Sequence, residues 1–166
     1  MEIDAQNEYL SYHDVMTDFY NRRYIEEIFK QLENDETRLP VSIISLDVDH
    51  LKWINDTYGH SIGDEAIMEA SKILKESCRP SDIMVRYGGD EFMLVLPNTK
   101  EEDAKLIIHR INQRKHKIAQ DVDVTLSAGY CTRNDVDTPF DFVIRHADLM
   151  MYEKKRAKRL KSLDLK

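Results

Sequence analysis

Two acidic clusters, far apart in the chain, are the residues best equipped for chemistry. The first, Asp47-Val48-Asp49, closes a β-rich run and is followed by Lys52 and Asn55. Alternation along an extended strand sends Asp47 and Asp49 to the same side, with the Val48 carbonyl beside them. Hard oxygen donors of this kind suit Mg²⁺ (or Mn²⁺), which combines one or two carboxylates with water and substrate phosphates. The second cluster, Gly88-Gly89-Asp90-Glu91-Phe92, reads as a hairpin tip. Its paired glycines are expected to supply the positive φ of a tight turn. They also leave the two acids free to reach a polyphosphate without a bulky neighbour in the way. Each cluster alone has an ordinary explanation, since acids cap turns and sit solvated on hairpin tips. Meeting at one sheet edge, they would form a site for metal-dependent nucleotidyl transfer.

Whether they meet depends on the elements that carry them. Val41–Val48 is β-rich and bounded on both sides, which predicts a buried strand. Tyr24, Ile25, Ile28, Phe29 and Leu32 recur at helical spacing before it. A glycine-containing loop from His60 to Asp64 opens a helix with Ala66, Ile67, Ala70, Ile73 and Leu74 on one face, stopping near Arg79-Pro80. Ile83–Arg86 and Phe92–Leu96 read as two short strands around the glycines. A helix follows from about Lys100, Val122 to Tyr130 alternates as a strand, and Asp141 to about Leu160 forms a last helix. The core order β-α-β-β-α-β predicts an α/β (α+β) fold of the split-βαβ, ferredoxin-like kind, its core helices on one face. In that fold the first strand can lie beside the hairpin and bring Asp47 to Asp90.

With 166 residues, 42% apolar and 33% charged, the chain suits one domain with its own core. Residues 14–166 are read as that domain and residues 1–13 as a linker or the end of a helix arriving from elsewhere. The balance of 24 basic against 31 acidic residues, net −7, argues against bulk binding to nucleic acid or an anionic membrane. No run approaches the roughly 20 apolar residues that span a bilayer, and the acidic start has no apolar signal core. Cys78 and Cys131 have neither metal nor redox spacing, which points to a reducing cytoplasm.

From Asp14 to Arg159 the sequence resembles the GGDEF domain of bacterial diguanylate cyclases. The matching pieces are Asp14…Thr17…Asn21-Arg22-Arg23 and Asp47-Val48-Asp49…Lys52…Ile54-Asn55-Asp56…Gly59-His60…Gly63-Asp64. They continue with Arg86-Tyr87-Gly88-Gly89-Asp90-Glu91-Phe92, Ser127-Ala128-Gly129 and Ala147-Asp148…Tyr152…Lys155. Each is weak alone; their order and spacing together are specific. The family's Leu-Thr-Gly-Leu appears here as Met16-Thr17-Asp18-Phe19, and its Gly-Arg-Asn as Lys158-Arg159-Leu160.

The resemblance implies a nucleotidyl-cyclase architecture, a mixed sheet flanked by helices, and a role for each matched position. Asp47, Asp90 and the Val48 carbonyl would bind the divalent metal. Lys52 would stabilise phosphate charge, and Asp90 or Glu91 would assist at the metal or deprotonate the ribose 3′-hydroxyl. Gly88 and Gly89 would pass close to the substrate. Asn55 and Asp64 would read guanine, an amide and a carboxylate matching its donors and acceptors. Asp64 equally fits a capping box, Ser61-Ile62-Gly63-Asp64. Lys155 and Arg159 would meet the terminal phosphates, although cations in a last helical turn are also favoured by the dipole. Arg79-Pro80-Ser81-Asp82, with Arg110, would form an inhibitory product site, against a plain helix stop and turn. The implied reaction joins two GTP into cyclic di-GMP and two pyrophosphates in a two-fold dimer, with an upstream sensor as its control. The competing reading is a non-catalytic module that senses cyclic di-GMP or GTP. A third keeps the enzyme and changes the base to adenine.

Overall fold

Val41–Val48 is buried at every position, so it must be covered on both faces and both edges. The computed structural model, which describes residue 7 and residues 9–163, shows how. The strands are β1 (Tyr20–Asn21), β2 (Val41–Val48), β3 (Ile83–Arg86), β4 (Glu91–Leu96), β5 (His116–Ile118), β6 (Val122–Val124) and β7 (Leu126–Arg133). The helices are α1 (Arg22–Leu32), α2 (Leu51–Tyr58), α3 (His60–Ser77), α4 (Glu101–Gln113) and α5 (Phe140–Leu163). The main sheet runs β1-β3-β4-β2-β7. Its four long strands are antiparallel, and β1 adds to the edge in parallel with β3. The order β7-β2-β4-β3 is the split-βαβ arrangement expected from the sequence.

Alternation along the strands divides the core in two. Ile44, Leu46, Phe92 and Leu94 face Ala66, Ile67, Ile73 and Leu74 of α3 and Ala104, Ile107 and Ile111 of α4. Val41, Ile43, Met93 and Val95 face Ile25 and Ile28 of α1 and Phe140, Val143 and Ala147 of α5. The core helices α3 and α4 thus share one face, and α1 and α5 cover the other. The contact between β7 and α5 is close enough to require Gly129: a Cβ there would lie 2.2 Å from both the Ala147 carbonyl oxygen and the Met151 nitrogen.

Four local features differ from the sequence-based expectation. The His60–Asp64 stretch is not a loop but the first turns of α3, and a separate short helix, α2, precedes it. Gly59 joins the two at φ 90° and ψ 163°, a conformation that glycine alone takes without strain. The strand expected over Val122 to Tyr130 is broken at Thr125, whose carbonyl accepts the Asp49 N–H at 2.9 Å. The residues before the break pair with β5 as a small separate sheet. Finally, neither Gly88 nor Gly89 has a positive φ; Gly59 is the glycine that does. Within residues 1–13, read as a linker or a helix end, residues 9–12 are helical, while residues 1–6 and 8 lie outside the described residues.

Candidate active site

The end of β2 and the β3–β4 hairpin converge because β2 and β4 are neighbours, with Asp47 opposite Glu91 in register. The Val48 N–H donates to the Asp90 carbonyl at 2.9 Å, tying the strand exit to the hairpin. Arg86 fixes the loop from its other side: one guanidinium nitrogen donates to the Gly89 carbonyl at 2.8 Å and the other to Asp14 at 3.0 Å. Tyr87 and Gly88 close the loop by donating to the Glu91 carbonyl at 2.8 and 3.1 Å. The glycines act through space: a Cβ on Gly88 would come within 3.2 Å of a Glu91 carboxylate oxygen, and Gly89 faces open space.

Asp47, Asp90 and Glu91 each present a carboxylate oxygen within 4.8 Å of the others. Three hard oxygen donors so close repel one another unless a cation joins them, which suits a divalent metal. Asp47 records that repulsion. Burial, then the charges of Asp90 and Glu91, push its carboxyl up to about 6, against the downward pull of the Lys155 amine bonded to it. Glu91 also accepts a long bond from the Tyr152 hydroxyl at 3.4 Å.

Asp49 does not join this cluster, which corrects the sequence expectation that paired it with Asp47. Its oxygens accept from the Thr125 and Ser127 hydroxyls at 2.7 and 2.6 Å and from the Lys158 amine at 2.7 Å. Burial works against its ionised form, yet those bonds prevail and hold it below the usual carboxylate range. It is an anchor, and the break in the strand at Thr125 is what brings its partners to it.

Lys52, Lys155 and Arg159 come together with Val48 and Asp90 around one cleft between the β2 exit and the last turns of α5. Lys158 lines the same cleft. The expected phosphate contacts are therefore gathered on one side of the acids. His50, in the left-handed conformation at φ 58°, turns the chain off β2 into α2 and so delivers Lys52 to this cleft.

Asn55 and Asp64 stand on either side of the Gly59 joint, on α2 and α3. Gly59 is the N-cap of α3 and no side chain caps it, so Ser61 and Asp64 do not form a capping box. Asp64 is exposed, and Asn55 is half-buried. A residue that received no role from the sequence positions Asn55: a Cβ on Gly63 would lie 1.7 Å from the Asn55 Oδ1. The spacing of Gly63 eight places after Asn55 carried no signal until the helix joint folded one onto the other.

Arg79, Asp82 and Arg110 all lie near the C-terminal end of α3. The buried Asp82 carboxylate accepts the Arg79 N–H at 2.7 Å, leaving the Arg79 side chain exposed. Arg110 reaches from α4 to donate to the Ser77 carbonyl at 2.9 Å. Cys78 sits among them, its thiol pushed up to about 12 by burial and by Asp82.

Comparison with known proteins agrees with this geometry. The family described as diguanylate cyclase, GGDEF domain, matches residues 11–161. Diguanylate cyclase DosC of Escherichia coli (strain K12) is 37% identical over 151 residues, 86% of this chain and 33% of that protein. Diguanylate cyclase A of Treponema denticola is 33% identical over 153 residues, 86% of this chain and 41% of that one. This chain thus spans only a third to two-fifths of these relatives. Among solved structures, the coiled coil and GGDEF domain of DgcB from Caulobacter crescentus, in complex with c-di-GMP, superposes with a TM-score of 0.83 at 25% identity, covering 94% of this chain and 86% of that one. Diguanylate cyclase SiaD of Pseudomonas aeruginosa, bound to its activator SiaC, gives 0.80 at 26% identity, covering 94% and 62%.

Proposed function

The chain belongs to the GGDEF family of diguanylate cyclase domains, and on that footing we propose that it joins two GTP molecules into cyclic di-GMP and releases two pyrophosphates. The observation that carries this is the acid cluster of Asp47, Asp90 and Glu91 beside a cleft lined by Lys52, Lys155 and Arg159. Each ribose 3′-oxygen attacks the other nucleotide's α-phosphorus in line. A new O–P bond forms, the bond to the β-phosphate bridging oxygen breaks, and pyrophosphate leaves. Asp47 and Asp90, with the Val48 carbonyl, would hold Mg²⁺ or Mn²⁺, which when bound polarises the phosphoryl oxygens. Glu91 or Asp90 takes the 3′-hydroxyl proton. Lys52, Lys155 and Arg159 neutralise the charge that develops on the leaving phosphates. Asn55 and Asp64 select guanine.

One domain carries one such site, and the product is symmetric, so two copies act face to face across a two-fold axis. Arg79, Asp82 and Arg110 form a second site where cyclic di-GMP binds and restrains turnover. In this reading the signal that pairs the two copies comes from an upstream sensor. A reaction that consumes GTP, in a chain whose two cysteines are free, fits the reducing cytoplasm, and we assign it there.

The deciding experiment incubates concentrated protein with GTP and Mg²⁺ and separates the nucleotides by chromatography. Cyclic di-GMP and pyrophosphate in a 1:2 ratio, absent without the metal, are expected. GTP recovered intact from a protein that binds it would turn the assignment to a sensing module, and equal consumption of ATP would sink the guanine assignment.

A further inference from the structure

Beyond Met151, helix α5 has no buried side chain through Ser162; Lys155 is half-buried and the rest are exposed. Apolar packing therefore does not hold this end of the helix on the sheet. Two lysines one turn apart do so, docked on two aspartates of the β2 exit. Lys155 is bonded to Asp47. Lys158 donates to Asp49 at 2.7 Å and to the Leu126 carbonyl, also at 2.7 Å. Lys158 stands where the family pattern has a glycine, so this second tether is a feature of this chain.

The two tethers differ in what a divalent cation would do to them. Asp47 belongs to the acid cluster, so a cation held there competes with Lys155 for its oxygens. Asp49 lies outside that cluster, and its other acceptor positions are filled by Thr125 and Ser127. The Lys158 tether is left intact when the Lys155 tether is released.

We propose that Lys158 is a positioning residue: its ion pair with Asp49 latches the end of α5 to the sheet, so that Lys155, once freed from Asp47, and Arg159 stay over the phosphate cleft. The inference rests on the phosphate assignment made for that cleft. The amine is not assigned a contact with substrate. It acts by limiting how far the two phosphate-binding side chains can drift, because a helix end without apolar contacts frays readily.

The test is calorimetric titration of tripolyphosphate, and of a non-hydrolysable GTP analogue, into wild type, Lys158→Gln, Lys158→Arg, Asp49→Asn and the double variant Asp49→Asn/Lys158→Gln. With Mg²⁺ present, Lys158→Gln should lower tripolyphosphate affinity about tenfold, and Lys158→Arg should restore most of it. Asp49→Asn should match Lys158→Gln, and the double variant should be no worse than either, the mark of two groups acting as one unit. Without Mg²⁺, when Lys155 still holds Asp47, the loss should shrink to less than threefold. Hydrogen exchange at residues 155–161 should quicken in Lys158→Gln only with Mg²⁺. Unchanged affinity in Lys158→Gln would overturn the latch, as would an equal loss with and without metal. Loss in Lys158→Gln with none in a folded Asp49→Asn would also overturn it, because the amine would then be touching phosphate directly. Should Asp49→Asn fail to fold, the metal dependence of the Lys158→Gln loss, together with metal-dependent hydrogen exchange at residues 155–161, decides the matter: a loss equal with and without Mg²⁺, or unchanged exchange, overturns the latch. Tripolyphosphate carries no base, so failure of the guanine assignment would show separately, as equal binding of GTP and ATP analogues.

Discussion

At the scale of single residues, Asp47 is where stability and function oppose each other. Its carboxyl is buried among acids and titrates at about 6 instead of the usual 3.8. A raised folded-state pKa means that the stabilising contribution is full below about pH 4 and is lost as pH rises through 6. At neutral pH the metal-free protein therefore carries an ionised group it would be more stable without. Asp47→Asn should raise the melting temperature at pH 7.5, on the order of 5 °C for a domain of this size, and remove this part of the pH dependence. The same variant should have no metal-dependent turnover. In the wild type, the group must lose its proton to bind a cation, so Mg²⁺ affinity should fall about tenfold for each pH unit below 6. Melting curves and Mg²⁺ titrations across pH 4.5–8 check both; a variant less stable than wild type at pH 7.5 would contradict the first. Asp49, two residues on, shows why spacing alone does not define a metal site. Its spacing from Asp47 predicts the same side of an extended strand, but it lies one residue past β2, where two hydroxyls and an amine have already filled its oxygens.

At the scale of elements, the proposed base selection by Asn55 and Asp64 would depend on the joint between α2 and α3. Asn55 can stand where it does because Gly63 has no side chain, with 1.7 Å between the Asn55 Oδ1 and the place of a Cβ. Gly63→Ala leaves the helix free to form, since alanine is the better helix residue, and must push the Asn55 amide aside. The expected result is a GTP KM at least tenfold higher with tripolyphosphate affinity unchanged, measured by steady-state kinetics and calorimetry; equal losses in both would point to general damage instead. This joint was not legible in the sequence. The strands β2, β3 and β4 were, because an unbroken β-rich run and two short runs around paired glycines have few other folds. So was the meeting of Asp47 with the hairpin, which follows from strand order. What escaped were features set by tertiary contact: α2, whose eight residues carry one buried side chain, Ile54; β1, two residues long and defined by its pairing with β3; and the break at Thr125, made by its bonds to Asp49. The glycines of the hairpin were recognised for the wrong reason: neither has a positive φ, and of the two Gly88 alone serves clearance beside Glu91.

At the scale of the whole molecule, two surfaces must be reconciled with a net charge of −7. An anionic dinucleotide meets a repelling field except where cations stand, and Arg79 and Arg110 both lie near the end of α3. If the proposed product site holds, Arg79→Ala removes charge-assisted bonds worth about 1.5–3 kcal/mol each, so cyclic di-GMP affinity should fall at least tenfold while GTP binding is spared. Titration of both ligands into wild type and variant settles it, and equal cyclic di-GMP affinities would leave Arg79 as a helix-end cation. The same charge bears on the proposed reaction, in which two copies with like charge face each other so that each 3′-oxygen reaches the other's α-phosphorus. On that proposal one copy does not complete the reaction, since its own 3′-oxygen and α-phosphorus belong to the same nucleotide. Where most chains are monomers, the concentration of the facing pair rises with the square of the total protein. Specific activity should then increase in proportion to protein concentration, doubling with each doubling until the pair predominates. Added salt screens the repulsion between copies over a Debye length of about 10 Å at 0.1 M, so moderate salt should shift the same curve to lower protein concentration. Initial rates measured over a hundredfold dilution, at two salt concentrations, test both statements. Constant specific activity across that range would mean either that the pair is already formed at the lowest concentration, which sedimentation at that concentration reveals, or that a single copy turns over alone, which would end the two-fold assignment.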